Sequence, residues 1–167
     1  MEKTIEKTNA ELVRRKVRDA LKQFDFKKTK PSFYTRLLED RIEFIHLHKF
    51  SFGPSFRVHT GIRFLIDNFE AVALNGIDSD SRREYNLRYH KSEESVDRCA
   101  SEIFLFIENE SFPWLEKWRN DEFLFRDSSS PFQRELMQDY QHFKSGDRDE
   151  SIIKLIKQSK SLLGIKD

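Results

Sequence analysis

Breakers and cross-links are scarce in this chain: its 167 residues include five Gly, four Pro, two Met and a single Cys. So little Gly and Pro excludes collagen-like and linker-like chains. One cysteine forms no internal disulfide, which points to a reducing compartment. Cys99 lies within an apolar helical pattern, where it reads as small core filler rather than as a nucleophile. No run reaches the roughly 20 apolar residues of a membrane span. Met1-Glu2-Lys3-Thr4 begins no apolar signal stretch, so the expectation is a cytoplasmic protein without a membrane role. Net charge is nearly absent too, since 30 Lys and Arg face 29 Asp and Glu. A net of +1 gives no global field toward nucleic acid or anionic lipid.

What is plentiful is phenylalanine, with 16 copies, in a chain that is 13% aromatic and 35% charged. Disordered segments are poor in aromatics, so a compact Phe-packed soluble domain with a charged skin is expected over residues 1–167. Within it, 1–126 should hold a sheet and its packing helices, and 127–167 a C-terminal helical hairpin. Charge is uneven along the chain. Residues 1–30 carry ten Lys/Arg against five Asp/Glu, and residues 91–167 carry twelve against sixteen. Most of that basic excess reads as a solvated helix face.

Ile5, Leu12, Val13, Val17, Ala20, Leu21 and Phe24 fall at helical spacing, which predicts a helix over 4–24. Ser32–Leu38, Ile42–Phe50 and Phe56–Phe64 are rich in aromatic and β-branched residues and predict an antiparallel meander. Residues 69–75 and 84–90 would extend it to about five strands. Pairing Phe50 with Phe56 sets Phe44 opposite Ile62, Ile42 opposite Phe64 and Glu43 opposite Arg63. A one-residue slip would exchange the faces of one strand. In that register Phe44, Phe50, Phe56 and Phe64 share one apolar face. Ser92 opens a helix striped by Val96, Cys99, Ala100, Ile103, Phe104 and Ile107, the natural cover for that face. Pro113 starts a short helix with Trp114, Leu115 and Trp118. Ser130-Pro131-Phe132-Gln133 and Asp147 with Glu150 predict the starts of two final helices, closed by Gly146 and Gly164. The fold class is thus α+β: an antiparallel sheet packed by an N-terminal helix and a following one, plus a C-terminal helical pair.

Three sets of residues carry candidate chemistry. His46-Leu47-His48 places two imidazoles on one strand face, a spacing metals use, and defines a metal-assisted hydrolase as one alternative. In the register above His59 points the other way. Arg14-Arg15-Lys16 with Arg18, near Lys27, Lys28, Lys30, Phe33 and Tyr34, define a nucleic-acid-associated protein as the second alternative. Surplus aromatics define the leading reading, a protein-contact patch drawn from Phe52, Trp114, Trp118, Phe123 and Phe125 with Arg57 and Arg63. Nucleophile elbows, Gly-rich phosphate loops, HExxH and CxxC motifs and paired His-x-Ser/Thr signatures do not occur, so no catalytic residue and no cofactor are assigned.

Phe26-Lys27-Lys28, Ser32-Phe33-Tyr34-Thr35-Arg36, Ile42-Glu43-Phe44-Ile45-His46-Leu47-His48-Lys49-Phe50-Ser51-Phe52-Gly53, Phe56-Arg57-Val58-His59-Thr60-Gly61-Ile62 and Ser111-Phe112-Pro113-Trp114-Leu115-Glu116-Lys117 follow in a distinctive order. Over residues 20–120 this order resembles an uncharacterised, mostly bacterial family of small proteins known only as a domain of unknown function. The resemblance implies an α+β domain and brings no activity, cofactor or catalytic residue. His48 stands where the family commonly has Asn or Gln, which argues against His46 and His48 as a shared ligand pair. The resulting expectation is a non-enzymatic binding or interaction module, monomeric or a small homo-oligomer, of the class that includes immunity-type partners of toxins.

Overall fold

The computed structural model describes residues 2–166, so Met1 and Asp167, the ends of the expected 1–167 span, lie outside the described residues. Helix α1 (Lys3–Leu21) buries Val13, Val17 and Leu21 along one side, as their spacing predicts. Asp25, in a left-handed conformation at φ 64°, turns the chain into the sheet. Four antiparallel strands follow in chain order: β1 (Lys27–Lys30), β2 (Phe33–Leu37), β3 (Arg41–Lys49) and β4 (Phe56–Phe64). Helix α2 (Glu93–Phe106) begins at Ser92, whose hydroxyl accepts the Ser95 N–H. A π turn over Ile107–Ser111 carries it into α3 (Phe112–Lys117). Helices α4 (Asp121–Arg126), α5 (Met137–Lys144) and α6 (Glu150–Leu162) complete the chain. The fold is α+β with an antiparallel sheet, and among the described residues no helix is long and apolar enough to cross a membrane.

The expected strands at 69–75 and 84–90 do not form; Arg88 and Asp78 make only isolated bridges to Ser55 and His59, while Lys27–Lys30 supplies an edge strand instead. The reason lies in how the free edge of β4 is satisfied. The N–H groups of Phe56, Val58, Thr60 and Ile62 donate in turn to Leu87 O, Ser79 Oγ, Ile77 O and Asn75 Oδ1. Side chains and single carbonyls from an irregular segment thus replace a ladder, which also covers an otherwise unpaired edge. Gly76 makes the approach feasible, because a Cβ there would lie 1.9 Å from the Thr60 carbonyl oxygen.

The β3–β4 register differs by one residue from the expected pairing. Lys49 opposes Phe56, Phe44 opposes Gly61, His46 opposes His59 and Ile42 opposes Arg63. Space over Gly61 is what accommodates Phe44, whose ring would lie 2.3 Å from a Cβ at that position. Phe56, Val58, Thr60, Ile62 and Phe64 therefore share a face with Arg41, Glu43, Ile45 and Leu47, and Phe44 lies on the other side. Glu43 does not pair with Arg63. Its fully buried carboxylate is held by Arg36 at 2.7 Å and by Arg119 at 3.3 Å. Arg41 lies buried between Asp40, the Trp118 carbonyl and the Phe64 ring. Buried charges of this kind persist only when partnered, and that pairing lets the polar parity of β3 face the core. Helices α1 to α3 cover it: Tyr34 donates to Arg14 O, Lys49 reaches Glu6, and Thr60 bonds Ser111 at 2.6 Å.

Two expected helix starts also move. Ser130 caps no helix; its hydroxyl accepts the Phe132 N–H and donates to Leu124 O, closing a turn, and helical structure starts only at Arg134. Asp149, not Asp147, caps α6 by accepting the Ile152 N–H. Asp147 pairs with His142 instead.

Candidate functional site

The sheet face opposite α1 and α2 has two unlike halves. At one end α6 and the residues after it lie across it, with Ser159 hydrogen-bonded to Arg63 and Gly164 packed on the Thr29 carbonyl of β1. At the other end Phe33, His46, His48, Arg57 and His59 project from three neighbouring strands and remain partly accessible, leading out to the β3–β4 turn. This hairpin end is the candidate site.

Cross-strand pairing sets Phe33, His46 and His59 in one row. The His46 ring stacks on Phe33 at 4.3 Å and 19°, and on His59 at 5.7 Å and 16°. Burial, together with the neighbouring His59 and His48, pushes the His46 imidazole down to about 4. Its Nδ1 is buried without a partner, which accords with a ring kept neutral. Burial also lowers His59, against the pull of the Asp78 carboxylate 3.2 Å from its Nδ1. Arg57 donates two bonds of 2.9 Å from Nε to Asp78, and its Nη2 donates to the same carboxylate; Asp80 lies 3.2 Å away. Burial works to raise the Asp78 carboxyl, but the Arg57 hydrogen bond, the Asp80 N–H and the nearby His59 and Arg57 charges together hold it below the ordinary carboxylate value. Beyond Phe50, which meets His48 edge to face at 5.5 Å, Phe52 stands 91% exposed beside Gly53, whose φ of 87° only glycine adopts readily.

The one-residue register shift brings His59 to the face of His46 and His48, contrary to expectation. The three rings do not converge, however, because two of them stack nearly parallel. Among the described residues no three His, Cys, Asp or Glu side chains are placed to hold a metal ion.

The seven residues expected to form a contact patch are dispersed. Phe52 and Arg57 belong to the hairpin end. Arg63 is 2% exposed and serves as a bolt, donating to Ser159 and to the carbonyls of Asp67, Phe69 and Ala71. Trp118 is 1% exposed, and Trp114 packs against it and the core. Phe125 packs on Phe132 and Tyr140, while Phe123 stays half exposed on α4 near Lys117. Cys99 is buried, and its thiol is pushed up to about 12 by burial, as core filler should be. Sequence reasoning missed Phe33, Phe50, Asp78 and Asp80 as members of the site. Only the register and the path of the irregular segment along β4 reveal them. Comparisons of the chain with protein-family models, curated proteins and solved structures returned no match.

Proposed function

We propose that the protein is a non-enzymatic cytoplasmic binding module that docks a protein partner through the hairpin end of its sheet. The observation that supports this reading is Phe52, a large apolar side chain 91% exposed on a nine-residue strand pair. Fully burying a Phe side chain is worth about 1.5–3 kcal/mol, and the fold does not use that energy. Exposed aromatics that fill a partner's pocket dominate many interfaces. The surroundings suit an anchor: Arg57 is already oriented by Asp78 and Asp80, and little side-chain freedom remains to be lost on contact. An immunity-type role, in which the module occupies the surface of a toxin, is the narrower form of this reading.

The test is co-purification from the native host of the wild-type protein and a Phe52→Ala variant, followed by titration of the identified partner against both. A stoichiometric partner whose affinity falls at least 10-fold in the variant, with unchanged thermal unfolding, supports the reading. A partner that binds the variant equally well, or a chain recovered alone or only with copies of itself, overturns it.

A further inference from the structure

At the β1 edge of the sheet, that strand turns the basic side of α1 into a groove. Lys7, Arg14, Arg15 and Arg18 of the helix and Lys28 of the strand line a hollow of about 440 Å³. A second hollow of about 480 Å³ shares Arg18 and Lys28 and adds Lys22 and Lys27. Seven cations therefore line one continuous track, with Glu11 among the lining residues and Asp19 beside Arg18 and Lys22. From Lys7 to Lys22 the track follows the helix for about 22 Å at 1.5 Å per residue.

The pairing of these cations is uneven. Arg14 is engaged by Glu11, and Arg18 and Lys22 by Asp19. Among the described residues the side chains of Lys7, Arg15, Lys27 and Lys28 make no hydrogen bond or ion pair, and all four residues are exposed. The aromatics expected beside them are elsewhere. Tyr34 is fully buried with its hydroxyl on the Arg14 carbonyl, and Phe33 stacks on His46 across the sheet. Phe26 borders the track but is only 1% exposed.

We infer that this track binds the phosphate backbone of single-stranded nucleic acid without reading its bases. Four unpaired cations along a groove match a row of phosphates, and the missing stacking platform removes the usual means of holding bases. An acidic protein is the weaker fit, because the centres of protein interfaces are depleted in Lys and enriched in aromatics, whereas four lysines and no exposed aromatic line this groove. Counterion release predicts a slope of log affinity against log salt of about −3 for four phosphate contacts to a single strand.

The experiment measures fluorescence anisotropy of 15-nucleotide oligothymidylate and oligoadenylate with the full chain, from low to physiological salt. Polyglutamate serves as a competitor. The expected result is low-salt binding with that slope, affinities for the two oligomers within about threefold, and weak competition by polyglutamate. The triple variant Arg15→Ala, Lys27→Ala, Lys28→Ala should lose at least 10-fold in affinity with unchanged thermal unfolding. Lys154→Ala with Lys157→Ala, two exposed cations of α6, should change nothing. No binding at low salt, equal competition by polyglutamate, or equal loss in the α6 control overturns the inference. Phe52 lines neither hollow, and the variants used in the two tests do not overlap, so the outcome is distinguishable from that of the docking proposal.

Discussion

Arg57 and Arg63 leave the same strand on the same side, six residues apart, and do opposite things. Arg63, beneath α6, is 2% exposed and ties three loop carbonyls and Ser159 together. Arg57, at the hairpin end, keeps a third of its side chain in solvent and is held by two aspartates. Strand parity fixed the side for both. The difference comes from what the rest of the chain lays over each end, and it shows that a β-strand arginine is a bolt or a contact group according to its cover.

Changes at three positions test that contrast, from the sealed end to the open one. Arg63→Met should be the most damaging, because it removes four hydrogen bonds at once and leaves the buried Asp67 carbonyl without its donor; a loss of about 3 kcal/mol or more is expected in urea denaturation. Arg63→Lys should rescue little, since an ammonium lacks the planar fork that reaches several acceptors. If either variant unfolds like wild type, α6 does not seal its half of the face through Arg63.

His46 lies at the border and supplies the middle effect. Its folded-state value of about 4 is below the ordinary 6.5. Between those values the unfolded chain binds a proton that the folded one refuses, so stability is complete above pH 6.5 and falls as pH falls toward 4. The expected loss from pH 7 to pH 5 is about 1–2 kcal/mol. His46→Phe keeps the stack on Phe33 and should flatten this slope in chemical denaturation at successive pH values. An unchanged slope would show that His46 is not the titrating group.

At the open end, Arg57→Ala should cost less than about 1 kcal/mol, because a partly exposed ion pair contributes little. Thermal unfolding beside the Arg63 variants checks it, and a cost as large as theirs would erase the distinction between the halves.

Much of the fold was legible from local pattern. The stripes of α1 and α2, the limits of β4, the Ser92 cap and the stops at Gly146 and Gly164 depend on neighbours in sequence, and each is present. Strand β1 was not legible, since Lys27–Lys30 shows no apolar alternation. Ser130 misled because the same hydroxyl that caps a helix can close a turn. Of the candidate site, Phe52 and Arg57 were visible beforehand, whereas His59 was assigned to the wrong face.

The sequence by itself determined the stripes of α1 and α2 and the places of β2, β3 and β4, with the residues that alternate within them, because those are short-range properties of backbone and side-chain spacing. Tertiary structure alone decided how β3 lies against β4, because two alternating strands fit together in more than one register. That choice turned on the room Phe44 finds over Gly61 and on the partners Glu43 and Arg41 find in Arg36, Arg119 and Asp40. It also decided which of the sixteen phenylalanines stay outside, Phe52, Phe69 and Phe123 among them. Most of them are wholly or partly buried, and among the described residues Phe52 at 91% exposure is the most exposed large apolar side chain, standing at the tip of its hairpin.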